Sequence, residues 1–138
     1  MYHTITVVGF LGRDPEMRYT PSGEAVTNFS VAVSDDYNNK EGEKVKRTLW
    51  FRISTWGKQA EACNQYLSKG KKVLVEGKMV ADTDTGGPKV YTKKDGSSGA
   101  AFEIRANTVR FLSSKDEVGS NSEEGDEGAS STENVEPF

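Results

Sequence analysis

The sequence is poor in the residues that form disulfides, metal centres and membrane spans. Its 138 residues include one cysteine, Cys63, and one histidine, His3. A single cysteine excludes an internal disulfide, and one Cys with one His supplies too few ligands for a zinc site. No apolar run approaches the roughly 18 residues of a membrane helix, and the first residues lack the basic and apolar regions of a signal peptide. We therefore expect a soluble, cytoplasmic protein that needs no metal and no cofactor.

Residues that could perform catalysis are equally scarce. A small nuclease would need clustered carboxylates, or a nucleophile beside a general base. Cys63 falls in a helical pattern, where a small buried residue is its more ordinary role, and His3 belongs to a different segment. The sequence therefore predicts a protein that is not an enzyme.

Positive and negative charges are unevenly divided along the chain. Residues 1–115 contain all 18 Lys and Arg but 13 of the 21 acidic residues, which gives +5. Residues 116–138 contain the other 8 acidic residues and no Lys or Arg, which gives −8. The overall charge of −3 thus hides a basic body with an acidic tail, and each segment must be considered separately.

Five segments have the composition and alternation of β-strands, namely residues 4–12, 25–34, 47–57, 71–80 and 101–112. Between the third and fourth strands, residues 58–69 have helical spacing, and Gly70 stands where a C-terminal cap belongs. Residues 81–99 form a long loop that could contain a hairpin arm at 90–92. Five strands with one helix between the third and fourth predict a mainly all-β OB-fold, a Greek-key barrel, over residues 1–112. A β-sandwich fits less well because it leaves the helix unexplained.

The third predicted strand contains both tryptophans of the chain. Because successive side chains of a strand face opposite ways, one face has Leu49, Phe51, Ile53 and Thr55. We expect this face to belong to the core. The other face has Trp50, Arg52, Ser54 and Trp56. Rings separated by a cation suit unpaired nucleobases, which stack on aromatics at about 1–3 kcal/mol each. A strand buried on both faces and an interface with another protein are alternatives that the strand alone leaves open.

Residues 113–138 are rich in Ser, Gly, Glu, Asp and Asn, and this composition predicts a disordered acidic tail. The tail ends with Val135, Glu136, Pro137 and Phe138. These residues are either an arbitrary tail end or a partner-binding tip. In the second case the Phe ring enters an apolar pocket while its α-carboxylate and the preceding acids meet a basic rim.

Several segments together match one known family: residues 8–23 (VGFLGRDPEMRYTPSG), 50–52 (WFR), 56–58 (WGK), 60–61 (AE), 66–70 (YLSKG) and 75–77 (VEG). Over about residues 3–112 and the tail tip, the chain resembles bacterial-type single-stranded-DNA-binding proteins. The resemblance implies sequence-independent binding and protection of single-stranded DNA during replication, recombination and repair. It also implies a homotetramer, association with the nucleoid, and an acidic tail whose Pro-Phe tip recruits replication and repair proteins.

In that family the DNA stacks on four aromatic positions, which by resemblance correspond to Tyr37, Trp50, Trp56 and Tyr91. Tyr91 is assigned by its spacing from Glu103, since residues 81–89 are longer than the usual connection. The cations expected to contact phosphates are Lys44, Lys46, Arg47, Arg52, Lys58 and Lys72. For each cation singly, an ordinary solvated charge is the alternative. RNA remains an alternative ligand because stacking does not distinguish the 2′-hydroxyl.

Overall fold

The computed structural model describes residues 1–113, which form a small β-barrel with appended hairpins. In chain order the elements are β1 (Ile5–Leu11), β2 (Glu16–Tyr19), β3 (Ala25–Ser34), β4 (Tyr37–Asn38), β5 (Lys44–Val45), β6 (Thr48–Trp56), α1 (Gly57–Tyr66), β7 (Lys72–Met79), β8 (Val90–Thr92), β9 (Ser98–Ala100) and β10 (Phe102–Phe111). Among these residues, no helix has the length and apolar character needed to cross a membrane.

Five of these strands close into a barrel in the order β1-β7-β10-β6-β3, with β3 returning to pair with β1. The closing contact is short, and it pairs Phe10 with Ala32 and Leu11 with Val31. Strands β6 and β10 are parallel, whereas the other barrel neighbours are antiparallel. With α1 between the third and fourth barrel strands, this topology confirms the predicted OB-fold.

The core lies inside the barrel because alternate side chains of each strand point inward. Its largest fully buried side chains are Val31, Ile53, Val73, Val75 and Ile104, each at most 1% exposed. Helix α1 packs against β3 and β6 and contributes Ala60 and Cys63 to the buried residues. Two buried threonines link these elements, since Thr27 donates a hydrogen bond to the Ala60 carbonyl (2.7 Å) and Thr55 donates one to the Thr27 carbonyl (3.0 Å).

The helix ends three residues earlier than the sequence predicts. It stops at Tyr66, and Leu67 takes an extended conformation that buries its side chain. Gly70 is therefore not the helix cap. It has a φ of +90° in the following turn, and its N–H donates to the carbonyl of Leu11. The backbone N–H of Lys69 meanwhile donates to Asp14, so the segment after Tyr66 is fixed by tertiary contacts.

The burial of Cys63 should make the stability of the fold depend on pH in the alkaline range. Burial raises the pKa of its thiol from 9.0 to about 11, although a hydrogen bond with Thr55 opposes the shift. Between these values the unfolded chain loses the proton while the folded chain keeps it, so folding should weaken as the pH rises from 9 to 11. In urea unfolding at several pH values, the wild type should lose more stability over this interval than Cys63→Ala. If the free energy of unfolding fell equally with pH in the wild type and in Cys63→Ala, this prediction would be wrong.

Candidate nucleic-acid interface

The two faces of β6 differ as the sequence predicts. Phe51, Ile53 and Thr55 are buried, whereas Trp50 on the opposite face is 53% exposed. Trp56 is half-buried, and the Nε1 atom of its indole is buried without an acceptor among residues 1–113. The alternative in which both faces of this strand are buried is therefore wrong. The outward face leaves one indole largely open and the second partly open.

Short side chains of β3 lie beside this outward face. The pairing between the two strands puts Trp50 beside Ala32, Arg52 beside Ser30, Ser54 beside Asn28, and Trp56 beside Val26. Because each large side chain of β6 has a smaller cross-strand neighbour on β3, the indoles and the guanidinium project beyond the side chains next to them.

Gly12 fixes the position of the Trp50 ring. A Cβ added to Gly12 would lie 2.6 Å and 2.9 Å from the Cζ3 and Cη2 atoms of the indole. The ring therefore packs over bare backbone, where any larger residue would displace it. This contact orients Trp50 while more than half of its surface stays accessible.

A groove of about 870 Å³ runs along this part of the barrel, between β6 and the segment that follows β7. Its lining includes Trp50 and Arg52 of β6, Pro88 and Tyr91 of the segment after β7, and Phe102 at the start of β10. Tyr91 is 38% exposed and belongs to β8, which pairs with β9 as the predicted hairpin arm. The structure thus brings together Trp50, Arg52 and Tyr91, which are 41 residues apart at most in sequence.

Two turns in the long loop that borders this groove are held by carboxylates. The carboxylate of Asp82 accepts hydrogen bonds from the backbone N–H groups of Thr85 and Asp84, which lowers its pKa. The carboxylate of Asp95 accepts hydrogen bonds from Ser97 at the tip of the β8–β9 hairpin, and its pKa is lowered too.

Within residues 1–113 no group of three or more His, Cys, Asp or Glu side chains is placed to hold a metal ion.

The other predicted residues lie outside this groove. Tyr37 and Lys44 are on the β4–β5 hairpin, followed by Lys46 and Arg47, and Lys58 is in the first turn of α1. Lys72 is on β7, with its Nζ 5.9 Å from the centre of the Phe10 ring, and lines neither this groove nor the smaller one beside it. Of the predicted stacking and phosphate-binding residues, only Trp50, Arg52 and Tyr91 therefore line this groove.

Three of the four predicted stacking rings have an arginine guanidinium over them. Arg47 lies 4.8 Å from the centre of Tyr37, Arg52 lies 5.3 Å from Tyr91, and Arg105 lies 4.7 Å from Trp56. Such contacts contribute about 0.5–1 kcal/mol at exposed sites. Each pair also places a donor for phosphate directly beside an aromatic surface.

Carboxylates hold two of these arginines. Arg47 forms an ion pair with Asp35, and its backbone N–H donates to Asp36 at 3.2 Å. The Nη1 atom of Arg52 lies 3.9 Å from Oε2 of Glu103. The first pair is exposed and the second is partly exposed, so each contributes little to stability, but the pairs determine where the guanidinium groups lie.

Sequence reasoning missed three arginines of this surface. Arg105 covers Trp56, and Arg13 and Arg18 line a smaller groove beside the first. Arg105 could have been found, since it alternates with Ile104 and Ala106 and must face outward on β10. Arg18 is placed by the pairing of β2 with β3, and Arg13 lies in the connection between β1 and β2. No local pattern indicates that the two line one groove.

The fold and the site together define a class: an OB-fold barrel with exposed aromatic rings and arginines along one groove. The sequence model of the Single-strand binding protein family matches residues 2–112, and the chain belongs to this family. A single-stranded DNA-binding protein of Neisseria meningitidis serogroup A (strain DSM 15465 / Z2491) is 42% identical over 113 residues, covering 82% of this chain and 61% of the relative. Single-stranded DNA-binding protein 1 of Chlorobaculum tepidum is 38% identical over 122 residues, covering 86% and 70%. The chain thus spans about three fifths of the length of the Neisseria relative.

Proposed function

We propose that this protein binds single-stranded DNA independently of sequence and protects it during replication, recombination and repair. The observation that carries the proposal is the groove in which exposed Trp50, Arg52 and Tyr91 lie together on a barrel of this family. An aromatic surface with adjacent cations suits a flexible, repeated, anionic ligand whose bases are unpaired. Duplex DNA would not offer these rings the faces of its bases.

The proposed mechanism divides affinity between rings and cations. Bases of any identity stack on Tyr37, Trp50, Trp56 and Tyr91. Phosphates contact Lys44, Lys46, Arg47, Arg52, Lys58 and Lys72, with Arg105 added by its position over Trp56. Each phosphate contact releases a counterion and contributes about −0.7 to the slope of log K against log salt for single strands. Stacking and charge are thus separable by salt titration.

The test is a titration of tryptophan fluorescence with oligothymidine, duplex DNA and oligouridine at two salt concentrations, with the oligomer mass measured alongside. We expect quenching by oligothymidine, weaker binding at higher salt, and much weaker binding of the duplex. Equal or stronger duplex binding, or no binding at all, would overturn the proposal. Oligouridine as the preferred ligand would assign the groove to RNA instead.

We further propose a homotetrameric, cytoplasmic and nucleoid-associated protein without catalytic activity, in which residues 1–112 bind DNA. Residues 113–138 are proposed as a separate acidic tail. Within it, Val135, Glu136, Pro137 and Phe138 would recruit replication and repair proteins, with the ring of Phe138 entering an apolar pocket whose rim is basic. Residues 114–138 lie outside the described part of the chain, so support for the tail comes from its sequence.

Removing the carboxylate of Glu103 should strengthen DNA binding. Glu103→Gln releases Arg52 from its ion pair and takes a negative charge out of the groove. A partly exposed pair of this kind contributes about 0–1 kcal/mol, so the gain in affinity should be at most about fivefold, and largest at low salt.

The matched control for this variant is Glu61→Gln, which removes an exposed charge on α1 away from both grooves. Affinities of the two variants for oligothymidine should be compared in the same low-salt buffer. If both bind equally, the ion pair with Arg52 has no specific influence on binding.

A further inference from the structure

A second, smaller groove continues from the aromatic one and has a different character. It has a volume of about 330 Å³ and shares Arg13, Ser30, Arg52 and Glu103 with the larger groove. We name it the polar slot, defined by the three side chains of its floor, Asn28, Ser30 and Ser54. The pairing of β3 with β6 sets Asn28 directly beside Ser54 on the outward face. A strand lying on Trp50 would therefore reach the polar slot without leaving the surface.

The floor of the polar slot has unused capacity for hydrogen bonding. All three residues are partly exposed, and none takes part in the side-chain hydrogen bonds found among residues 1–113. The amide of Asn28 offers two donors and one acceptor oxygen, and each serine hydroxyl can donate or accept. These groups are fixed on two central barrel strands, so they present a rigid pattern.

The charges around the polar slot favour a neutral ligand edge over a phosphate. Three guanidinium groups are matched by three carboxylates: Arg13, Arg18 and Arg52 beside Asp14, Glu16 and Glu103. A phosphate would meet as many negative as positive neighbours and would gain little. The edge of a nucleobase carries donors and acceptors without net charge, and both kinds of partner are available here.

We propose that the polar slot receives the hydrogen-bonding edge of one unpaired nucleobase while neighbouring bases stack in the aromatic groove. This inference rests on the proposed function and refines it, because hydrogen bonds to a base edge depend on which base is present. Asn28 then acts as a specificity-determining residue. The protein binds all single strands, but with a measurable preference among bases that the stacking rings do not impose.

The test compares Asn28→Ala with the control Asn107→Ala, which changes an exposed asparagine on β10 that lines neither groove. The probes are oligothymidine, oligodeoxycytidine and an abasic oligonucleotide of equal length at low salt. Asn28→Ala should weaken binding of both base-bearing strands by about 3- to 10-fold, the value of one ordinary hydrogen bond, and leave the abasic strand unaffected, whereas the control should change none of them.

A second variant, Asn28→Asp, tests the direction of the preference. A carboxylate accepts hydrogen bonds but does not donate. At the 4-position of a pyrimidine it should therefore disfavour thymine, which presents the O4 acceptor there, more than cytosine, which presents the N4 amino donor. The ratio of oligodeoxycytidine to oligothymidine affinity should therefore rise. If Asn28→Ala does not fold, Ser54→Ala takes its place in the first comparison.

Two results would overturn the proposal that the polar slot binds the edge of a nucleobase. One is equal weakening of the abasic strand, which would mean that Asn28 acts on the backbone or on the structure of the barrel. The other is an unchanged base ratio in both Asn28 variants while DNA binding persists, which would leave the proposed function intact. Failure of the wild type to bind any single strand would instead remove the proposed function, and the slot with it.

Discussion

Replacing Trp50 with alanine is expected to weaken oligothymidine binding by about 5- to 150-fold, because a base stacked on an aromatic ring contributes about 1–3 kcal/mol. Trp50 is the most exposed of the four proposed stacking rings, and the backbone of Gly12 holds its indole against the barrel. The salt slope should stay the same, since the substitution removes no positive charge. Fluorescence anisotropy with a labelled oligonucleotide measures both quantities.

Trp50→Phe is the control for this substitution, because it keeps an aromatic face at the same position and should retain much of the affinity. Both variants should stay folded, as the lost side chain lies mostly on the surface. Unchanged affinity in Trp50→Ala would remove this ring from the binding surface. A changed salt slope would show that the substitution disturbs the nearby cations.

The second large effect is on folding, at the point where the barrel closes. A Cβ at position 9 would lie 2.1 Å from the carbonyl oxygen and 2.9 Å from the carbonyl carbon of Ala32, which are backbone atoms of β3. Strand β1 cannot accommodate this without moving away from β3, and only two residue pairs join these strands. We expect Gly9→Ala to lower the free energy of unfolding by about 3 kcal/mol, at the upper end of the usual cost of overpacking.

Gly87→Ala provides the matched control. A Cβ there would meet only the Oγ1 atom of Thr85, at an ordinary contact distance of 3.5 Å, so stability should hardly change. Urea unfolding followed by circular dichroism compares the two variants with the wild type. If Gly9→Ala were as stable as Gly87→Ala, the close approach of β1 and β3 would not be required for the fold.

The barrel was predictable from the sequence because each of its strands alternates, and alternation shows which side chains face the core. The face of β6 that bears Trp50 follows from the same rule. The end of α1 could not be predicted in this way, since Leu67 is buried in a core that residues from several distant strands form. No local pattern shows what Gly9 does: the register between β1 and β7 is unbroken there, and the glycine allows β3 to come close.

The candidate site could be predicted only in part, because its members converge from distant segments. The family resemblance assigned Tyr91, guided by its spacing from Glu103, and the structure places it in one groove with Trp50. No local pattern predicts that a guanidinium lies over Tyr37, Tyr91 and Trp56 in turn. Those contacts join residues of different elements, so they exist only once the strands are in register.

The central claim is that unpaired bases lie against Trp50 and Trp56, the only two tryptophans of the chain. Acrylamide quenching of tryptophan fluorescence, with and without saturating oligothymidine, tests this directly, with binding verified independently by sedimentation. The account predicts indoles that acrylamide reaches in the free protein and that bound DNA shields. Equal quenching in the two states, while the DNA sediments with the protein, would contradict it.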